Sequence, residues 1–292
     1  MNKKTENLTL TIKPKALKRG FRSAFIHFAL MMFMIYLVFP LLWMVSLSLK
    51  PTPEIYSADL SLVPRTVSGE HYHSVLHEER VVRSIFNSLY VGITSAALAV
   101  LIALPGAYAL VRYKTHANNV ILGWILTSQI FPVILLMVPL YMILRSLSLT
   151  NSLLGLMLVY VVWSMPFVLW MLHGYMKTIP VELEEAATID GATRLQVVYQ
   201  ILVPVLLPAI GASMLFAFIS AWNEFFLALV LLKSPDLLTI PVELAKFTGM
   251  EGQARTGPLA AASFIATIPS ILLFAIIQKW FSSGLVAGAV KN

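Results

Sequence analysis

Apolar residues in this chain do not alternate with polar ones. They come in long runs fenced by Lys and Arg. A helix needs about 20 mostly apolar residues to cross the hydrocarbon core of a bilayer. Charge-free runs of that length lie between Arg22 and Lys50, Arg83 and Arg112, Lys114 and Arg145, Arg145 and Lys177, and Arg255 and Lys279. Another, between Arg194 and Lys233, is interrupted by Glu224 alone. The pattern predicts six transmembrane helices at 24–48, 87–110, 120–143, 153–175, 204–231 and 259–280. Prolines 40, 105, 132, 139, 166, 208 and 269 fall within or near these runs. Bundled membrane helices tolerate them because neighbouring helices re-satisfy the freed carbonyls.

Composition agrees. Of the 292 residues, 58% are hydrophobic and 12% charged, with mean hydropathy +0.81. An ordinary soluble domain carries about 25% charge. A water-soluble enzyme and a disordered chain are both excluded. The net charge is +7, but the cations cluster at the ends of apolar runs, so a membrane and not a nucleic acid is the expected partner. With no Cys, thiolate chemistry and disulfides are absent. The first run has a charged flank too long for a cleaved signal peptide and reads as a retained anchor.

Orientation follows the Lys/Arg bias. A cytoplasmic N-terminus puts 13 cations inside and 8 outside, with most of the excess just before the first span. Both termini are then cytoplasmic. The chain divides into a basic tail (1–22), a first span (23–50), an extracytoplasmic loop (51–86), a membrane core (87–281) containing a cytoplasmic segment at 177–203, and a cytoplasmic tail (282–292).

The segment 178–208 reads TIPVELEEAATIDGATRLQVVYQILVPVLLP. Pro180 suits a first helical position. Glu182, Glu184 and Glu185 complement the positive end of a helix. Ala186 and Ala187 favour helix, and Gly191 terminates it. A second helical piece, about 192–201, runs to Pro204. A bare return loop needs only about five residues, and acidic residues fit poorly against an anionic leaflet. A helix that docks on a protein is the better reading.

EEAATIDGA followed by ILVPVLLP resembles the EAA motif of the membrane subunits of binding-protein-dependent ABC importers. Glu185, Ala186, Ala187, Asp190, Gly191, Ala192, Ile201 and Pro204 fall at its spacing, and Val203 stands where Leu is usual. FPLLWMVSLSLK (39–50), NSLYVG (87–92), GAYALVRY (106–113), WNEF (222–225) and GLVAGAVKN (284–292) resemble the carbohydrate branch, specifically its MalG-like subunit. The resemblance implies an all-α integral membrane protein with the six-helix type I importer fold. It implies a permease subunit for a sugar or oligosaccharide that forms half of an alternating-access pathway. Carried over, Glu185 is the charged contact to the ATPase, Ala186 the close-packing residue and Gly191 the bend; Glu184, Ala187, Asp190 and Ala192 belong to the same coupling group. The outer loop at Phe247, Gly249, Gly252 and Gly257 matches one that enters the binding protein. The implied partners are a MalF-like second membrane subunit, two ATPase subunits that bind ATP and Mg, and an extracytoplasmic solute-binding protein. The resemblance further implies that this chain performs no chemistry, binds no cofactor and lies in the bacterial cell (inner) membrane.

Trp222, Asn223 and Glu224 are pathway or gating candidates. A charge within a span is costly and is a functional hypothesis by default. Glu224 has two readings: contact with sugar beside a stacking Trp222, or a structural bond to neighbouring helices. An ion-coupled secondary carrier working through Glu224 is the rival function. His71, His73 and His77 imitate metal ligands, but HEERV is not HExxH and no metal site is assigned. Trp43, Tyr113 and Trp280 read as interfacial anchors. No P-loop and no hydrolase nucleophile motif occurs, so no catalytic residue is named.

Overall fold

The structure, a computed structural model, describes the backbone of residues 14–57, 61–113, 115, 117–249 and 255–289. It describes side chains within those ranges from 22 to 278, Asn119 excepted. No strand occurs among the described residues. Among the described residues, five helices are long and apolar enough to span a membrane. They are α1 (Pro14–Leu49), α4 (Glu79–Arg112), α7 (Leu153–Met176), α10 (Val203–Trp222, continuous with the turns before it from Arg194) and α13 (Thr256–Ala289). Short helices α2 (Thr52–Ile55) and α3 (Glu70–His77) lie between the first two.

The third predicted span is not one helix. α5 (Asn118–Ser128) and α6 (Val133–Ser146) meet at a 94° bend. The break falls at Pro132, which has no N–H to continue the ladder and holds its neighbour away from helical geometry. Counted as one broken span, the pair brings the total to six. The fifth span is also interrupted. α10 ends at Trp222, and α11 (Phe226–Leu231) starts after a break containing Glu224. The helical stretch 194–222 is 29 residues, about 43 Å, and already exceeds the hydrocarbon thickness. Glu224 therefore stands toward the end opposite Arg194, not in mid-span. α12 (Ile240–Ala245) follows, and the chain returns through α13.

Other boundaries move too. α1 begins at Pro14, inside the expected basic tail. α4 begins at Glu79, inside the expected outer loop. α13 runs past the expected sixth span to Ala289, taking in part of the tail. The basic residues before Pro14, the side chain of Trp280 and those of the tail 282–292 lie outside the described residues.

The core forms where α4, α7 and α10 pack together. Ala99, Ala103 and Ala107, spaced every four residues, are fully buried there. Small residues on one face let helix backbones approach closely, which drives packing where lipid is as apolar as Leu. Outside this core, α1, α5 and α6 present exposed Phe, Trp, Ile and Leu side chains along their length. Water does not tolerate apolar area on that scale.

At the end of the molecule carrying Glu79, the first loop is tied down. The Ser48 hydroxyl bonds Tyr72 Oη at 2.7 Å. The buried Lys50 Nζ donates to the Ser61 carbonyl at 2.5 Å. His71 Nε2 donates to the Lys50 carbonyl at 2.9 Å. Thr52 donates twice to the Glu70 carboxylate, which holds that exposed carboxyl below the usual range. Those bonds are present at neutral pH and are lost as pH falls through the lowered pKa.

Candidate functional site

α8 spans Glu182–Ile189, with three acidic residues in its first turn facing the positive helix end. Pro180 is two residues upstream, so it precedes the helix and does not open it. The end of α8 is closed by two bonds. Gly191 N donates to the Thr188 carbonyl at 3.1 Å and Ala192 N to the Ala187 carbonyl at 3.0 Å. This Schellman closure needs a left-handed residue, and Gly191 has φ +86°. Thr193 and Gln196 then form a reciprocal capping box that starts α9 (Arg194–Gln196). The second piece does not stop at Pro204. A π-helical turn, Val197–Leu202, carries it into α10, and Pro204 sits just after that turn, where the ladder has already left the i−4 pattern.

The faces of α8 differ. Glu184 and Ala187 are buried, whereas Glu185, Ala186, Asp190 and Gly191 are exposed and Ala192 is half-buried. Glu184 therefore departs from its expected place in the outward contact. Arg112 Nε donates to Glu184 Oε1 at 2.5 Å and Tyr108 Oη to Oε2 at 3.1 Å. Arg112 Nη2 also donates to the Ile179 carbonyl at 3.1 Å. The Arg112 and Glu184 side chains are each 11% exposed. Ala187 likewise faces the protein, because it lies three residues along the same side of the helix. On the outward side Ile189 is 86% exposed and Leu195 70%. An open cleft of about 720 Å³ runs beside Ile189 between α8 and the end of α4, lined by Val111, Arg112, Val181, Glu184, Glu185 and Thr188. Tyr113 accepts a 2.7 Å bond from Arg194 Nη1, a role beyond interfacial anchoring.

The pathway candidates separate as well. Trp222 is 4% exposed, stacks on Phe218 and donates Nε1–H to the Ala266 carbonyl at 3.2 Å. Its ring is packed and not open to stack on a sugar. Asn223 is exposed and lines an apolar cleft with Leu41, Ile219 and Phe264. Glu224 Oε1 accepts from Leu227 N at 2.8 Å. Oε2 accepts from Ala228 N at 3.0 Å and Tyr160 Oη at 2.8 Å. The carboxylate starts α11, and this structural use disfavours the carrier reading.

Of the outer-loop candidates, Phe247 and Gly257 are packed inward. Phe247 is buried, with the Arg255 guanidinium 5.1 Å from its ring centre. Gly257 is buried at the start of α13, where an added Cβ would stand 2.2 Å from His71 Nε2. Gly249 is exposed, and Gly252 lies outside the described residues. His73 and His77 stack at 4.0 Å while His71 is engaged with Lys50.

The sequence reading missed Arg112, Tyr108, Arg194 and Tyr160. Only the Thr193–Gln196 capping box carried a readable local signal.

With this geometry in view, comparison with known proteins is decisive. Residues 97–286 match the family described as "Binding-protein-dependent transport system inner membrane component". This chain belongs to that family. An ABC transporter permease of Streptomyces antibioticus is 49% identical over 79% of this chain and all of its own length. The "Trehalose transport system permease protein SugB" of Mycobacterium tuberculosis is 35% identical over 88% of this chain and 93% of its own. The diacetylchitobiose uptake permease DasC of Streptomyces coelicolor is also 35% identical, over 88% of this chain and 92% of its own. Among solved structures, a chain of a bacterial ABC transporter that imports the acidic polysaccharide alginate superposes with TM-score 0.79. It is 23% identical and covers 94% of this chain and all of that one, which establishes the fold. This chain is thus an all-helical, multi-pass permease subunit of an ABC importer.

Proposed function

We propose that this permease carries a sugar or small oligosaccharide across a bacterial cell membrane, with both termini cytoplasmic. It forms half of the pathway beside a second, homologous membrane subunit. Two separate ATPase subunits bind ATP and Mg, and an extracytoplasmic binding protein delivers the sugar. The names of the trehalose and diacetylchitobiose relatives support the substrate class.

The observation that carries the reading is the outward face of α8. A short helix with a rigid glycine closure presents Glu185, Ala186 and the uncovered Ile189 beside an open cleft. This surface fits a protein partner that changes shape on binding ATP. The ATPase pair shifts the permease between two arrangements because it contacts α8 differently in each.

The test uses the full complex in proteoliposomes with its loaded binding protein, after each variant is shown to assemble. Glu185→Arg and Gly191→Pro are expected to abolish stimulated ATP hydrolysis. The first reverses the charge at the contact, and the second cannot adopt φ +86°. Wild-type hydrolysis and transport in both would sink the reading.

A further inference from the structure

We infer that α4 is the element that carries the movement of α8 across the membrane, through polar ties at both of its ends. This rests on the reading of α8 as the ATPase contact. α4 is one continuous helix of 34 residues that carries Pro105 inside it, about 51 Å long and longer than a bilayer with its headgroup regions. Its last residue and the next hold both arms of the coupling segment. Arg112 grips Glu184 on α8 and the Ile179 carbonyl before it, and Tyr113 receives Arg194 at the start of α9. A bidirectional grip of this kind moves α4 with the segment, because both arms must be released before either can slide.

The far end of α4 is tied in the same manner to the opposite surface. Arg83 Nη1 pairs with Asp236 Oδ1 at 3.0 Å. Asn87 Nδ2 donates to the carbonyls of Asp236 and Leu238 at 2.9 and 3.0 Å. Ser88 Oγ accepts from Ile240 N at 2.8 Å. Glu78, at the head of the helix, lies 3.6 Å from Arg255. The loop elements that flank 249–255 are thereby bound to the same rod that grips α8. Between the ends, the alanine face of α4 packs into α7 and α10, so a shift of the rod engages the whole core. Interiors packed this densely pass a displacement on instead of absorbing it.

This chain has no native cysteine, so one introduced residue is its single labelling site, and label on the other subunits is subtracted with the complex that lacks it. Arg80→Cys, exposed near the outer end of α4, is labelled with an environment-sensitive fluorophore in the assembled complex. The signal change on adding ATP, Mg and vanadate is read per labelled complex, so a lower yield of folded protein does not alter it. Arg112→Lys and Glu184→Gln are expected to cut the change at least about five-fold, the low end of coupling between linked sites. The exchange Arg112→Glu with Glu184→Arg is expected to restore it. If Glu185→Arg removes the change while the Arg112 and Glu184 variants keep it, α8 docks the ATPase but α4 is not the link. If Glu185→Arg also leaves it intact, the docking reading itself fails. Should the buried variants not assemble, the exposed tie decides: Tyr113→Phe with Arg194→Gln buries no charge, and an undiminished change in it overturns the inference.

Discussion

Two carboxylates in this permease face the same problem and meet it differently. Glu184, on α8, is buried against another helix and holds a cation, Arg112, 72 residues away in sequence. Glu224, in the break of the fifth span, bonds no cation among the described residues. It takes two backbone N–H groups from the turn that follows and a hydroxyl from Tyr160. The first solution fastens one segment to another. The second ends one helix and begins the next. A charge in an apolar protein is therefore not one kind of signal, and its partner decides whether it links parts of the molecule or shapes the chain locally.

The sharpest way to break the comparison is to remove each charge and compare the damage. Glu184→Ala leaves Arg112 unpaired in a buried position and is expected to cost about 3–5 kcal/mol. Glu185→Ala, one residue along on the exposed face, is expected to cost under about 0.5 kcal/mol. Thermal unfolding of the purified complex in detergent reads both. Equal losses would mean that Arg112 and Glu184 are not the dominant contact of α8 with α4.

Much of this architecture is legible in the sequence because lipid imposes long apolar runs. The five long apolar helices and the helix–glycine–helix at 182–202 follow from run length, charge fences and Gly191. The broken third span shows where the reading stops. Pro132 lies in a charge-free run, and hydropathy alone does not separate a tolerated proline from one at a 94° bend. Glu224 and Trp222 carry the residue types of a sugar site, yet both are bound internally. Side-chain type is visible in a sequence, and what the side chain touches is not. The ties between Arg112 and Glu184 and between Tyr113 and Arg194 join residues 72 and 81 positions apart, and only the packing of α4 brings them together.

A smaller effect is expected at the other carboxylate. Glu224→Ala removes the acceptor for two N–H groups at the start of α11 and for the Tyr160 hydroxyl, and is expected to cost about 2–3 kcal/mol. Glu224→Gln keeps an oxygen acceptor and is expected to fold and transport. Uptake by proteoliposomes of the complex separates the two meanings of this residue. A carrier that moves a proton or ion through Glu224 stops when the charge is removed. A carboxylate that only starts a helix does not. Loss of uptake in a stably assembled Glu224→Gln complex would restore the carrier reading.

The smallest expected effect belongs to the partner of Glu224. Tyr160→Phe removes one hydroxyl and leaves the ring packed against its neighbours on α7. The carboxylate keeps both backbone donors, so the loss is one hydrogen bond to a charged group, about 1.5 kcal/mol. Paired with Glu224→Ala in a double-mutant cycle, the change should be markedly non-additive, because the Tyr160 hydroxyl donates its bond to Glu224. Strict additivity, read by thermal unfolding, would show that the bond contributes nothing and that the two backbone N–H groups hold Glu224 alone. A coupling well above the cost of one bond would show the opposite. Tyr160 would then fix the position of the break between α10 and α11, and the fifth span would depend on α7 for its shape.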